Sequence, residues 1–523
     1  MNTATSKNQN AIAAGHQETA KAAQIILQEG GNAFDAALAA MLTACVAEPV
    51  LASLGGGGFL LGHMANDHST LYDFFAQTPH TKLAASDIDF YPIMADFGTA
   101  QQEFHIGLGS IATPGMIAGL FTIHRDLCRL PLNIIAEPAI QAARSGIQLN
   151  SFQHYISTVV SPIINANPAS KRLHENAQQP GQLAVENDLV THPEFAALLE
   201  ALVKEGESLF YKGELGQQLA KTCHEEGGYL RMQDLEHYQV MQRKPLQFKY
   251  RNNRILTNPA PSIGGTLIAF TLSLLKSTHL NHYAADSMEH LQLLAHAMRL
   301  TQQLRHKESV DQHISSTYAN NLIQGPLLES YRQTLKQHTV CTRGTTHISI
   351  VDADSNFASM TLSNGEGSGY VLPGTGIMLN NMLGEEDLNP HGFHQWPENR
   401  RIASMMSPTM AFTADGRAIA MGSGGSNRIR SAIIQVLINL LDFNMNLNDA
   451  VEHSRIHFES GLLNLESGPI QQTINMLEKE FSQLKLWPEK NLFFGGTHCV
   501  IRDKIGSLHA KGDSRRGGIA LEH

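Results

Sequence analysis

The sequence predicts an α/β (α+β) protein built of packed helical and sheet layers, and three observations predict it. Alanines and larger apolar residues recur at helical spacing from Thr19 to Glu48. From Thr345 onward the chain alternates as strands do, and an apolar helix is expected from Arg428 to Leu441. At 523 residues the chain exceeds one small domain, so two domains or one large multilayer domain is expected.

Taken in order, the Thr19–Glu48 stretch reads as two helices broken at Gly30-Gly31-Asn32, and Pro49 ends the second. Gly55-Gly56-Gly57-Gly58 opens a strand-like run, Phe59-Leu60-Leu61. From Pro131 to about Leu300 polar, helix-friendly sequence dominates, with a loop from Asn258 to Gly265. Near residue 340 the composition changes. His347 to Asp352 alternates, Ala353-Asp354-Ser355-Asn356 turns, and Phe357 to Thr361 alternates again. Strand and turn signals recur from Gly374 to Leu379. There is no internal repeat and no low-complexity linker.

Composition removes several function classes. Hydrophobic residues are 42% and charged residues 16%, a globular balance. A net charge of −10 without a long basic run argues against a nucleic-acid partner. Five scattered cysteines, Cys45, Cys128, Cys223, Cys341 and Cys499, suggest neither a disulfide framework nor a zinc site. Of the 26 histidines none sits in an HExxH pattern, and His290, His296 and His306 share one helix without an i, i+4 face. They read as surface or core histidines, and no metal is expected. No apolar run reaches membrane-spanning length, and no basic-plus-apolar leader follows Met1. Taken as the natural start, this beginning predicts a cytoplasmic protein; with a leader removed, the same residues would suit a periplasmic or secreted one.

The chemistry concentrates at Thr345. An internal threonine has no built-in base, but cutting the bond before it frees an α-amine on the same residue. With a pKa of about 7.7–8.0, roughly one such amine in seven is neutral at pH 7, against about one lysine in 2,500. This chemistry wants a small residue before the threonine, a strand after it, and peptide N–H groups for the oxyanion. Gly344-Thr345-Thr346-His347-Ile348-Ser349-Ile350-Val351-Asp352 supplies the first two.

That block resembles the start of the small subunit of γ-glutamyltransferases, in which the proenzyme cuts itself before the first threonine. The resemblance runs in order along nearly the whole chain. It includes Gly30 to Ala37, Gly55 to Phe59, Ser110 to Gly119 with its Thr-Pro-Gly, and the loop Pro261-Ser262-Ile263-Gly264-Gly265. It continues through Gly376 to Asn381, Ser404-Met405-Met406-Ser407-Pro408-Thr409 and Gly422 to Ser426. The resemblance implies a four-layer αββα sandwich of the N-terminal-nucleophile hydrolase type. It also implies a zymogen cut at Gly344–Thr345 into a large part, 1–344, and a small catalytic part, 345–523, that stay together as a heterodimer. No cofactor is implied.

Carried over residue by residue, the resemblance makes Thr345 the nucleophile and Gly424 and Gly425 the oxyanion donors. Ser363 stands where the family has a threonine touching the catalytic amine. The family's asparagine two positions later falls on Gly365, and a one-residue shift puts Asn364 there. Three departures affect the grip on a γ-glutamyl donor. Ala84 occupies the place of the carboxylate-clamping arginine, with Lys82 the nearby cation. Met382 replaces an amine acceptor, with Glu385 available as the neighbouring acid, and Ser404-Met405 replaces a serine pair. The leading expectation is a γ-glutamyltransferase or glutathione hydrolase that passes the acyl group to water or an amino acid. The alternatives are a related amidohydrolase for another small acidic amide, oxamate-like or acyl-amide, and an unprocessed scaffold that keeps only the fold.

Overall fold

Two antiparallel sheets lie face to face at the centre of the protein, with helices covering both outer sides. The structure is a computed structural model and describes residues 9–96, 101–308, 310, 315–334, 345–389 and 392–523. Gly344 and Cys341 lie outside the described residues.

The first sheet holds seven strands: β1 (Ala11–Ala14), β2 (Gly57–His63), β3 (Ser69–Phe74), β4 (Met241–Arg243), β7 (Thr346–Val351), β8 (Phe357–Ser363) and β13 (Ile519–Glu522). Their order in space is β13-β1-β7-β8-β2-β3-β4. The second sheet holds six: β5 (Leu246–Tyr250), β6 (Asn253–Thr257), β9 (Thr409–Phe412), β10 (Ala418–Gly424), β11 (Gly496–Arg502) and β12 (Leu508–Lys511). Their order is β12-β11-β10-β9-β6-β5. Strands from both sides of residue 345 share each sheet, so that position divides the sheets internally.

Outside the first sheet lie α1 (Gln17–Gln28), α2 (Ala33–Ala47) and α3 (Leu132–Ser145). Gly30, at φ +89°, ends the first helix, and Asn32 caps the second by accepting from Phe34 N and Asp35 N while Asp35 returns a bond to Asn32 N. Every residue of α2 is buried, because its alanines let it lie between the sheet and its neighbouring helices. Outside the second sheet lie α4 (Gly264–Leu275), α5 (Met288–Lys307) and α6 (Arg428–Leu441). The layers are therefore αββα, as expected.

The stretch read as helical up to Leu300 also contains the β5–β6 hairpin, whose residues Leu246, Phe248 and Tyr250 turn inward while Gln247 and Lys249 face out. His290, His296 and His306 do share α5; the first two are buried, and His296 Nε2 lies 2.5 Å from Glu480 Oε1. Cys45, Cys128, Cys223 and Cys499 are free thiols.

Candidate active site

Strand alternation decides which way the residues after Thr345 face. Along β7, Ile348 and Ile350 join the core beneath α2, while His347 and Ser349 face the second sheet. Ser349 Oγ donates to His498 O in β11, and Ser359 Oγ of β8 donates to Met421 O in β10. Gly422 lies against the His347 ring, and two residues on, Gly424 lies against the backbone of Thr345. A Cβ at either position would overlap its neighbour. The alternate glycines of β10 thus accommodate alternate residues of the nucleophile strand. His347 is 2.8 Å from Thr361 Oγ1 and 2.9 Å from Ser349 Oγ, and burial pushes its pKa well below the usual value, which leaves it neutral.

Thr345 itself is 4% exposed, just ahead of β7. Thr346 pairs with Leu362, so the next step along the ladder sets Ser363 opposite Thr345. Ser363 Oγ accepts from Gly365 N at 3.1 Å. Asn364 is fully buried, and among the described residues neither its amide oxygen nor its amide nitrogen has a hydrogen-bond partner. Gly365 has φ +64°, a conformation that disfavours a side chain, and Asn364 directly precedes it. Glu366 N donates to Asn381 Oδ1 at 3.0 Å, and a Cβ on Gly365 would overlap Asn381 Oδ1 and Glu385 Oε1. Glu385 therefore stands beside the Ser363–Glu366 turn, whereas Met382 is turned into the core.

The oxyanion candidates end β10. Gly425 has φ +116°, and the turn leads directly into α6 through Arg428 N to Gly425 O at 3.0 Å and Ile429 N to Ser426 O at 3.0 Å. The positive end of a helix therefore backs the turn. Ser404 and Met405 sit against the Pro261–Gly265 loop. Ser404 O accepts from Ser262 Oγ at 2.7 Å, Ser404 Oγ accepts from Met406 N at 3.0 Å, and Met405 is buried. Lys82 is exposed and lies 4.8 Å over the Trp396 ring; Ala84 is exposed.

Sequence reasoning missed two buried charged residues, one bonded to the Thr345 backbone and the other to the side chain of Thr346. Arg516 Nη1 donates to Thr345 O at 3.3 Å, and its Nη2 donates to Leu492 O at 3.2 Å. Burial lowers its pKa to about 10, against the opposing pull of Asp513 and Glu366, so it is a cation at neutral pH. Its turn is fixed by buried Asp513, which accepts from Arg455 Nη2 at 2.6 Å, Arg515 Nη1 at 3.2 Å and Thr497 N at 2.8 Å. Burial acts to raise the Asp513 carboxyl, but the Arg455 and Arg515 guanidiniums hold it well below the carboxylate range. The other residue is Glu48 at the end of α2. It accepts from Thr346 Oγ1 at 2.8 Å and Thr19 Oγ1 at 3.0 Å, and burial pushes its carboxyl up to about 7. The only sequence signal was an Arg pair in the last ten residues and one acid amid alanines. Among the described residues no group of His, Cys, Asp or Glu is arranged to hold a metal ion.

A hydroxyl nucleophile in a buried, polar seam beside a glycine turn suits acyl transfer from an amide. The chain is similar to the glutathione hydrolase proenzyme of Escherichia coli, at 27% identity over 94% of this chain and 87% of that one. It is also similar to an acylase ACY 1 proenzyme from a Pseudomonas species, at 29% identity over 86% and 82%. In fold it is similar to cephalosporin acylase from Bacillus halodurans, with a TM-score of 0.85, 20% identity, and 98% and 96% of the two chains covered. The sequence model of gamma-glutamyltranspeptidase matches residues 19–522, and with the nucleophile strand, its glycine turn and the αββα layers in place, the chain belongs to the gamma-glutamyltranspeptidase family of enzymes.

Proposed function

We propose that the protein cuts itself before Thr345 and then hydrolyses or transfers the acyl group of a γ-glutamyl amide. The new α-amine takes the Oγ proton of Thr345 as Oγ bonds to the substrate carbonyl carbon. The C–N bond then breaks, the proton passes to the leaving amine, and water or an amino acid releases the acyl group from Thr345. Gly424 and Gly425 face the developing oxyanion, and Ser363 holds the amine. One observation carries this reading: the glycine that ends β10 lies directly against the backbone of Thr345. Residues 1–344 and 345–523 are then the two parts of one heterodimer. The test is a γ-glutamyl anilide assay on purified protein, with Thr345→Ala as control. Turnover retained by Thr345→Ala would reject the mechanism.

A second reading, an acylase for a small amide without the glutamyl zwitterion, is favoured by Ala84 in place of an arginine and by the burial of Met382. Comparing a γ-glutamyl anilide with the same anilide lacking its α-amine separates the two. Each lost hydrogen bond to a charged group is worth about 1.5–3 kcal/mol, so a site that grips the amine should discriminate roughly 10- to 100-fold. Equal efficiency on both would favour the acylase.

A further inference from the structure

The segment 380–389 forms a bracket closed by its own asparagines. Asn380 Nδ2 donates to Gly55 O at 2.8 Å and to Ala112 O at 2.9 Å, which anchors one end. Asn389 Nδ2 reaches Met382 O, Leu383 O and Glu385 O at 2.7–3.2 Å, which draws the other end back. Two side chains of this bracket reach the turns that follow Ser363 and Gly424, the residues set against Thr345. Glu385 stands beside the turn after Ser363, and Asp387 meets the turn after Gly424–Gly425.

At that second turn, Asp387 Oδ2 accepts from Ser426 Oγ at 2.6 Å and Oδ1 accepts from Asn427 Nδ2 at 3.4 Å. Asn427 is held from its other side by Arg305 Nη1 at 3.3 Å. Ser426 has φ +48°, a left-handed conformation that a residue with a side chain keeps only when its surroundings impose it. Its backbone fixes the Gly425–Ser426 peptide, and through the φ +116° of Gly425 that constrains the peptide before it, which carries the Gly425 N–H assigned to the oxyanion. We propose that Asp387 is a positioning residue that locks the oxyanion turn through Ser426, coupling the substrate-side bracket to the geometry of Gly424 and Gly425. This rests on the reading of Thr345 and the glycine turn given above. Asp387 touches no reacting atom. Its bond to Ser426 acts by holding a strained turn, so its effect belongs in the transition state and not in substrate binding.

The test uses processed protein with Asp387→Ala, Ser426→Ala, the double variant and Asp387→Asn. Removing a whole oxyanion donor typically slows turnover about 100- to 1,000-fold, so misaligning the pair should lower kcat by roughly 10- to 100-fold, with KM within about threefold. The double variant should be no slower than either single one, because both remove one contact. Asp387→Asn keeps an acceptor for Ser426 and should retain kcat within about threefold. Hydrogen exchange over residues 422–428 needs no substrate and should accelerate in Asp387→Ala but not in Asp387→Asn. Normal exchange and kcat in Asp387→Ala, a loss that falls on KM, or losses that multiply in the double variant would overturn the proposal. A wild-type protein without amide turnover would instead sink the reading of the site, while the exchange measurement still decides the role of Asp387.

Discussion

A side chain at position 424 has nowhere to go, because the carbonyl of Thr345 already fills that space. Gly424→Ala must therefore move either the nucleophile or the turn. Turnover is expected to fall by at least about 100-fold, the scale of a lost oxyanion donor, with self-cutting slowed as well. Near-normal kcat would contradict the packing. Asn364 makes the opposite kind of prediction. Its buried amide has no partner among the described residues, so it costs stability unless a substrate engages it. Asn364→Ala should leave stability unchanged or raise it by up to about 1 kcal/mol, while KM rises roughly tenfold. A destabilised variant with normal KM would make Asn364 structural. Glu48 sets a pH dependence. Its folded pKa is raised from 4.5 to about 7, so the folded state holds a proton that the unfolded chain has released. That contribution is fully present below pH 4.5 and is lost as pH rises to about 7, worth about 3 kcal/mol. In a Thr345→Ala background, which stays one chain, Glu48→Gln should gain stability over its parent by about this amount between pH 4.5 and pH 8 in urea titrations. A constant difference across that range would show that Glu48 ionises normally.

At the scale of single elements, sequence reading succeeded where structure is local. The break at Gly30-Gly31-Asn32, the strand after Thr345 and the helix from Arg428 to Leu441 all depend on spacing, caps and alternation within a few residues. The β5–β6 hairpin escaped because its alternating signal is only five residues long and lies within a helix-rich stretch, although Leu246, Phe248 and Tyr250 do alternate. Within the candidate site, motif order pointed to Thr345, Ser363, Gly424 and Gly425, and the structure sets Ser363 opposite Thr345 and Gly424 against its carbonyl. Arg516 was not legible. It reaches Thr345 across 171 positions, and only the stacking of β11 on β7, with the turn between β12 and β13 packed beside β11, brings them together. Its role is testable. Arg516→Ala leaves the Thr345 carbonyl without that bond and opens a gap beside Gly424 and Gly425. A loss of about 1.5–3 kcal/mol in the barrier is expected, and Arg516→Lys should recover part of it. Equal activity in both variants and the wild type would remove Arg516 from the site.

Across the whole molecule, the division at 345 runs through hydrogen-bonded ladders and not between domains. Strand β1 lies between β7 and β13, β8 pairs with β2, and β9 pairs with β6, each contact joining residues before 345 to residues after it. If the chain is cut there, a denaturing gel should show two bands and gel filtration one species, with the smaller fragment beginning Thr-Thr-His. A single band from active protein would exclude the cut. The seat of β1 has a further consequence once the bond is broken. The intact precursor forms this sheet as a unimolecular event, at a rate indifferent to how much protein is present. After cleavage the same ladder is an encounter between two molecules, so recovery from denaturant becomes second order and fails on dilution. The cut would thus act as a ratchet: the chain folds as one molecule, gains its catalytic amine, and surrenders the route by which it folded.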